Sequence, residues 1–412
     1  MNFIQKYIKP IITKKKPDYI LFFLSSFLII VGIIFSYSLS IFTVDYYDYS
    51  QYHFFLRQLF VGIVSIFIMW TFAHIKSDVL FYSFKVGWIL FFGFLFLMII
   101  MNFLPQSMVT QSGGANRWIR LPGFSLSPVE FFKVGFIYFL AFSFHRKFIG
   151  IKKIPFKEEL KMLSPYVVVF GVVVFLIAFL QKDLGQVVLL AIIIFFMLIF
   201  VNRSAKVFVT IISMSFVGII SLILLAPHRI NRFLSWWSSI QDNVLVYMPE
   251  FLQTLLRVKE FPEPYQVSHS LNALYNGGWF GVGLSNGSLK LGFLSEVHTD
   301  FVLAGIGEEI GLFGLILILI IFFTIIFRIM RISRRTLNPK YHLFTLGIAL
   351  MLSISFLINS YGISAIIPIK GIAVPFLSYG GSAILALGFA MGLVLSISNQ
   401  IELNDKKLKD IK

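Results

Sequence analysis

Acidic side chains and an imidazole cluster where a long apolar segment begins. Residues 294–301 read Leu-Ser-Glu-Val-His-Thr-Asp-Phe, and the apolar segment that follows carries Glu308 and Glu309. A carboxylate inside hydrocarbon costs about 2.5–3.5 kcal/mol at a helix centre on insertion scales. Such groups usually face a polar cavity, so this stretch is the first candidate for chemistry.

Asp300 lies at the predicted start of the long apolar segment, where one side of its carboxylate can contact water and the other side can be buried. Partial burial would raise its pKa above the ordinary value of about 3.9 and make it a better general base. A helix cap or first-turn acid is an equally good interpretation. Glu308 and Glu309 are adjacent and cannot share one helix face. The simpler interpretation is that at least one of them bonds to a neighbouring helix.

The composition indicates an all-α polytopic membrane protein. Of 412 residues 58% are hydrophobic and 13% are charged, against about 25% charged in a soluble domain. The absence of cysteine excludes disulfides, Cys-ligated zinc and thiol catalysis. The net charge of +16 is not gathered on one solvated face, so we expect no nucleic-acid partner.

About ten apolar segments are long enough to cross some 30 Å of hydrocarbon. Most Lys and Arg residues lie in alternate connections and in the tails, which places both termini in the cytoplasm. The predicted spans are 19–42, 55–75, 78–104, 129–145, 163–181, 184–201, 206–226, 299–327, 341–366 and 381–399.

This topology predicts one transmembrane domain, residues 19–400, between basic cytoplasmic tails at 1–18 and 401–412. Three external loops follow from it: 105–128, a large loop at 227–298 between the seventh and eighth spans, and 367–382. Structureless loops beyond about 12–15 residues are uncommon unless they are functional. The external side is therefore where we expect the site.

Further charged residues lie near the external ends of the predicted spans. Glu130 and Lys133 are three apart on one helix face, which favours an internal pair. Asp183 is placed to cap the tight turn between the fifth and sixth spans. Arg117 and Arg120 flank Trp118-Ile119; they could bind phosphate or anchor the chain at lipid headgroups.

Six motifs occur in one order along the chain and together resemble the SEDS family (shape, elongation, division and sporulation), whose branches are FtsW, RodA and SpoVE. The motifs are GANRWI, SPVEFFK, QKDLGQ, GGWFGVGL, EVHTDFVLAGIGEE and PFLSYGGS, between residues 113 and 382. The last motif, which contains Pro and two Gly residues, precedes the tenth span. It could form a turn, or its backbone could pack closely against another group.

The resemblance implies a peptidoglycan glycosyltransferase of the bacterial cytoplasmic (inner) membrane. Such an enzyme joins lipid-linked disaccharide-pentapeptide units (lipid II) at the outer membrane face, with a class B penicillin-binding protein and other division proteins as partners. The aspartate of the HTDF motif, here Asp300, is the family's proposed catalytic residue. A divalent cation, Mg²⁺ or Mn²⁺, is expected, with no site assigned to it.

The resemblance also implies a set of substrate-binding residues. Arg117, Glu130 and Lys133 match positions that line the family's substrate cavity, and His298 and Glu296 lie within the HTDF region. Lys370 and Ser378 complete the substrate-binding candidates.

Local features resemble the division branch more than the elongation branch, and so predict action at the division septum. They are Lys290, the Lys370-Gly371 pair and the basic N-terminal extension. The chain departs from the family's usual pattern at Lys182, at Gln186, in Ser127-Pro128-Val129-Glu130 and in Leu294-Ser295-Glu296. These departures bear on local turns more than on Asp300.

Two other functions compete with polymerisation of the lipid precursor. A transporter that flips the same precursor would also carry charges inside a helical bundle, but along the full membrane depth. A scaffold that only recruits division proteins would leave the buried acids unexplained. The distinctive charges lie in the external half, apart from Glu308 and Glu309, and this distribution favours an enzyme.

Overall fold

The computed structural model describes residues 16–112, 115–121, 124–150, 154–201, 204–258, 265–294, 297–368 and 371–409. These residues form a helical bundle with one small sheet. The helices are α1 (Tyr19–Ser38), α2 (Ile41–Tyr46), α3 (His53–His74), α4 (Val86–Trp88), α5 (Phe94–Ile100), α6 (Pro128–Phe148), α7 (Phe156–Val174), α8 (Leu184–Phe200), α9 (Ala205–Leu224), α10 (Pro227–Leu245), α11 (Glu250–Leu256), α12 (Tyr265–Gly277), α13 (Val302–Arg335), α14 (Pro339–Ile363) and α15 (Gly381–Lys409). Wider π-type turns occur at Val79–Ser83, Ile89–Gly93 and Phe175–Leu180.

Helical structure coincides with each of the ten predicted spans. In the described part of the chain, seven helices are long and apolar enough to cross a membrane, and Val86–Ile100 and Leu184–Phe200 are shorter apolar segments. The prediction of one helix over 78–104 was wrong, because Lys85 has a left-handed backbone (φ 50°) that interrupts it. The ring of Tyr138 on α6 occupies the space beside Gly87, so the broken helix packs closely against α6.

The core of the bundle is built around α14 and α15. In each, 72% of the most apolar window is buried, whereas in α9 the figure is 11%. Lipid does not drive apolar helices together, so close contact depends on small residues that let backbones approach. Gly135 of α6 lies directly on the backbone of Phe91, and Gly388 of α15 lies against Ser65 of α3.

A three-stranded antiparallel sheet occupies the external segment before α6. Its strands are β1 (Val109–Ser112), β2 (Ala115–Leu121) and β3 (Phe124–Leu126), in the order β1-β2-β3. The sequence predicted only a loop here, since strands this short alternate too few side chains to give a clear pattern. Ser382 at the start of α15 accepts a bond from the Ser127 amide (2.7 Å) and donates to the Ser125 carbonyl (3.1 Å), which fixes the sheet to the bundle.

The large external segment 227–298 contains α10, α11 and α12, and its end docks on a break in α13. At Gly311 the backbone leaves the helical conformation (φ 69°, ψ −172°). The carbonyls of Glu308 and Glu309, which lose their helical partners there, accept bonds from the amides of Val282 and Gly283, both at 3.0 Å. The GGWFGVGL motif therefore completes the hydrogen bonding of α13.

Candidate active site

Asp300 lies half-buried in the turn that leads into α13. Phe301 occupies the N-cap and α13 begins at Val302, so the interpretation of Asp300 as a cap or first-turn acid was wrong. The Asn359 side-chain amide of α14 donates to the carbonyls of Asp300 (2.7 Å) and Ile372 (2.9 Å). One amide group thus holds the Asp300 turn and the loop before α15 together.

Gly371 in that loop lies directly over the Asp300 carboxylate. A Cβ atom added to Gly371 would be 2.8 Å from Asp300 Oδ2, closer than Cβ atoms pack. Gly371 is itself exposed, so the carboxylate is reached from outside past a residue with no side chain. The absence of a Cβ at Gly371 allows this close approach of its backbone.

His298 is a buried part of the wall behind Asp300. Its side chain is packed between Phe54 of α3 (ring centroids 4.7 Å apart) and Tyr379 (5.4 Å), and its carbonyl accepts a bond from the Tyr379 amide (2.8 Å). Burial lowers the pKa of His298 to about 4, so the ring is neutral at physiological pH. The structure favours a positioning role for His298 over direct contact with a ligand.

Ser378 is also buried and bonded within the protein. Its hydroxyl donates to the Thr299 carbonyl (2.7 Å) and accepts from the Val374 amide (2.8 Å). The Gln58 side chain of α3 donates to the Ser378 carbonyl (3.3 Å). These bonds fix the loop before α15 to the Asp300 turn, so Ser378 supports the site from behind.

Glu130 and Lys133 form the predicted internal pair, at 2.9 Å, at the outer end of α6. The Gln186 amide group of α8 also donates to Glu130 (3.2 Å). Asp183 caps α8 as predicted, accepting a bond from the Gln186 amide N–H (3.3 Å). Burial raises the pKa of Asp183, while the nearby Arg117 guanidinium acts in the opposite direction.

Arg117 satisfies backbone carbonyls rather than a carboxylate in this structure. Its Nε donates to the Gln181 carbonyl (2.9 Å) and its Nη2 to the Lys182 carbonyl (3.0 Å). The guanidinium thus binds the chain that leaves the turns at Phe175–Leu180, a position that complements the negative end of the helix dipole. Arg120 is exposed and donates to Thr110 Oγ1 (3.0 Å).

A cavity connects the Glu130–Lys133 pair to the loop before α15. It is lined by Glu130, Lys133, Ser355, Val374 and Ser378 among others, and measures about 30 Å³. That volume holds a water molecule or two but not a sugar ring. A sugar ring therefore does not fit in this cavity.

Arg57 of α3 is a residue of the site that the sequence reasoning missed. It is exposed and lies near enough to Tyr379 for its positive charge to act on the Tyr379 hydroxyl. Burial raises the pKa of Tyr379, and the positive charge of Arg57 acts against that increase. A charged residue inside a predicted span is a signal for function, and the same signal applies to the polar Asn359 in α14.

Glu308 and Glu309 have separate partners, as their adjacency predicted. Glu309 pairs with Lys290 at 2.6 Å, with both side chains at or below 1% exposure, and accepts bonds from Ser38 of α1. Glu308 accepts from the Asn276 side chain (2.8 Å) and from amides of the 288–289 turn. Both acids hold the external segment against α13.

Two predicted binding residues, Glu296 and Lys370, lie outside the described residues. Among the described residues there is no group of three or more His, Cys, Asp or Glu side chains able to hold a metal. The donor set that is present therefore suits only a cation that takes several of its ligands from substrate phosphates and water, as Mg²⁺ commonly does.

The fold and the site define a multi-pass membrane protein with a half-buried carboxylate at one mouth of the bundle. Residues 18–403 match the sequence model of the FtsW/RodA/SpoVE family, described as "Cell cycle protein". The chain belongs to this family.

Curated relatives and solved structures agree with that membership. The chain is 47% identical over 379 residues to a probable peptidoglycan glycosyltransferase FtsW of Helicobacter pylori, covering 92% of this chain and 97% of the relative. It is 31% identical over 406 residues to the protein of that name from Bacillus subtilis, covering 96% and 94%.

Among solved structures, the rod shape determining protein RodA of Thermus thermophilus has a TM-score of 0.61 at 18% identity, covering 93% of this chain and 96% of that one. A chain from a peptidoglycan synthase complex that coordinates polymerization and crosslinking has a TM-score of 0.63 at 20% identity, covering 93% and 98%. These likenesses establish the shared fold.

Proposed function

We propose that this protein is a peptidoglycan glycosyltransferase that polymerises lipid II into β-1,4-linked glycan strands at the outer face of the cytoplasmic membrane during division. The observation that carries the proposal is Asp300, a half-buried carboxylate at the mouth of the bundle under the backbone of Gly371. The names of the relatives and the family membership support it.

In the proposed reaction, Asp300 is the general base. The acceptor's 4-hydroxyl attacks the anomeric carbon of the donor sugar and transfers its proton to the Asp300 carboxylate. The new C–O bond forms as the bond from that carbon to the pyrophosphate breaks, and the electron pair leaves with the polyprenyl pyrophosphate. Attack from the face opposite the leaving group inverts the anomeric centre and gives the β link.

Among the described residues, Arg57 is the cation that we expect to neutralise the leaving group. It is exposed and lies near Tyr379, whose hydroxyl carries no charge, so a phosphate can bind to it. Lys133 already compensates Glu130, and Arg117 already binds two carbonyls. These two residues therefore add positive potential at longer range.

A divalent cation, Mg²⁺ or Mn²⁺, is part of the proposal. When bound, it would stabilise the charge that develops on the departing pyrophosphate. Since the described residues contain no group of three or more potential metal ligands, we expect most of its ligands to come from substrate phosphates and water.

A class B penicillin-binding protein is the proposed crosslinking partner, supported by the likeness to a chain of a complex that coordinates polymerization and crosslinking. The FtsW names of the relatives support action at the septum with other division proteins. Transport of the lipid precursor is less well supported, because Glu308 and Glu309, the deep acids that motivated it, hold the external segment in place.

The test is polymerisation of lipid II by the purified full-length chain, with and without its penicillin-binding protein partner. We expect glycan strands from the wild type and none from Asp300→Asn, which keeps the shape of the side chain but cannot accept the proton. Gly380→Ala is the control, since a Cβ there would meet only the Ala383 side chain at 3.6 Å. Wild-type rates from a folded Asp300→Asn protein would contradict the mechanism.

A further inference from the structure

The connection between α1 and α3 carries aromatic side chains that the proposed reaction does not use. Tyr46, Tyr47, Tyr49 and Tyr52 are 69%, 56%, 44% and 51% exposed. Scattered exposed apolar residues are normal, but four large rings within seven residues form a patch of the kind that marks an interaction site. We call these four residues the outer tyrosine surface.

Three of the four rings, those of Tyr46, Tyr47 and Tyr49, are packed in a continuous series, while Tyr52 stacks on Tyr37. Tyr46 contacts Tyr47 with ring centroids 4.9 Å apart, and Tyr47 stacks on Tyr49 at 5.8 Å. Tyr49 stacks on His53 at 4.3 Å with the planes 4° apart. Because each ring rests on the next, little side-chain freedom remains to be lost when a ligand binds.

The series continues into the wall of the active site. Tyr49 contacts Phe54 (5.8 Å), and Phe54 contacts both His298 (4.7 Å) and Tyr379 (5.1 Å). His298 lies two residues before Asp300. Ring contacts thus extend from Tyr46 to His298 and Tyr379 in the wall of the active site.

The charges nearest the four tyrosines are negative, and the next cation along the chain, Arg57, lies beside His53 and Tyr379 at the active-site end of the series. Residues 39–56 contain no Lys or Arg, while Asp45 and Asp48 are exposed beside the tyrosines. Carboxylates repel a pyrophosphate, but they accept hydrogen bonds from hydroxyl groups. An anionic lipid surface is disfavoured for the same reason. The ligand that fits is uncharged along its backbone and rich in hydroxyls.

A pyranose chain has those properties. The faces of its rings carry C–H groups that suit the electron-rich face of a tyrosine, and its edges carry hydroxyls for the two aspartates. We propose that the outer tyrosine surface binds the β-1,4-linked N-acetylated glycan strand next to the site where it is made. This inference rests on the proposed function, which supplies the strand.

Such a surface would keep the strand beside Asp300 between additions. A strand that is held there re-enters the site at a high effective concentration instead of diffusing away. The surface then governs how many additions follow one encounter, and so the length of the product.

The test measures binding of a soluble N-acetylglucosamine hexamer, β-1,4-linked, to the purified full-length chain by saturation-transfer NMR. We expect Tyr46→Ala/Tyr47→Ala to weaken binding about tenfold, because two aromatic contacts to the sugar rings are lost. Tyr46→Phe/Tyr47→Phe should keep most of the affinity. The matched control is Tyr247→Ala/Tyr275→Ala, two tyrosines that are 89% and 90% exposed elsewhere.

Equal affinity of the Tyr46→Ala/Tyr47→Ala and control variants would overturn the proposal. So would unchanged hexamer binding together with weaker binding to phosphatidylglycerol vesicles, which would assign the tyrosines to lipid. Hexamer binding needs no turnover, so a wild-type chain that fails to polymerise would contradict the proposed function and leave this result interpretable. In the polymerisation assay the alanine variant should make shorter strands.

Discussion

The buried pair of Lys290 and Glu309 should be strongly coupled in free energy of unfolding. Their charged groups are 2.6 Å apart with side-chain exposures of 1% and 0%. Lys290 lies ten residues before Asp300 and Glu309 nine residues after it, so the pair closes a loop with the candidate base near its middle. Losing one partner leaves the other charge buried and uncompensated.

The magnitude follows from that burial. Lys290→Met or Glu309→Gln alone should each cost about 3–5 kcal/mol, the usual result of breaking a buried pair. The double variant removes both charges and leaves a neutral amide to bond to the Ser38 hydroxyl, which donates to Glu309 in the native protein. It should therefore cost less than the sum of the two by about 2–3 kcal/mol or more.

The assay is reversible unfolding in mixed micelles with increasing SDS, read as a double-mutant cycle. The exposed pair Arg257 and Asp242, 3.1 Å apart with side-chain exposures of 51% and 76%, supplies the matched cycle. Its coupling energy should be below about 1 kcal/mol. If the Lys290 and Glu309 substitutions were additive, the pair would not hold the loop and the reasoning from burial would be refuted.

Two further predictions concern the walls of the site. Since burial lowers the pKa of His298 from 6.5 to about 4, the folded protein binds fewer protons than the unfolded chain between these values. The free energy of unfolding should thus fall by about 3 kcal/mol as the pH drops from 7 to 4. In the SDS assay, His298→Gln should make the free energy of unfolding depend less on pH. An unchanged pH dependence in this variant would refute the prediction. Gly371→Ala should displace the Asp300 carboxylate and lower kcat by about tenfold to a hundredfold, with little change in the free energy of unfolding. Gly380→Ala should retain activity. Equal kcat values for the two variants would contradict the close contact between Gly371 and the Asp300 carboxylate.

Hydropathy and local spacing predicted the features that depend on neighbouring residues. The positions of the apolar helices, apart from the break at Lys85, are of this kind, as are the Glu130–Lys133 pair and the Asp183 cap, because a few adjacent positions fix them. The divergent directions of Glu308 and Glu309 also follow from helix geometry alone.

Features that depend on distant partners could not be read from the sequence. The break at Gly311 is possible because the segment at 278–283 supplies replacement hydrogen bonds. The sequence around Gly311 alone does not indicate that these two segments bond to each other. Arg57 becomes part of the site only through Tyr379, more than three hundred residues away. The sheet at 109–126 was not predicted for a different reason. Its strands are too short to show an alternation of apolar and polar side chains.

The interruption of α13 at Gly311 has a mechanical consequence. If the 278–283 segment moved away by itself, the Glu308 and Glu309 carbonyls would be stranded without partners, at a cost of about 1–3 kcal/mol each when buried. The outer part of α13 and that segment are therefore expected to move together as one unit. Asp300 lies just before the start of α13, at the end of this unit. A displacement of the 278–283 segment is therefore expected to move the outer part of α13 with it.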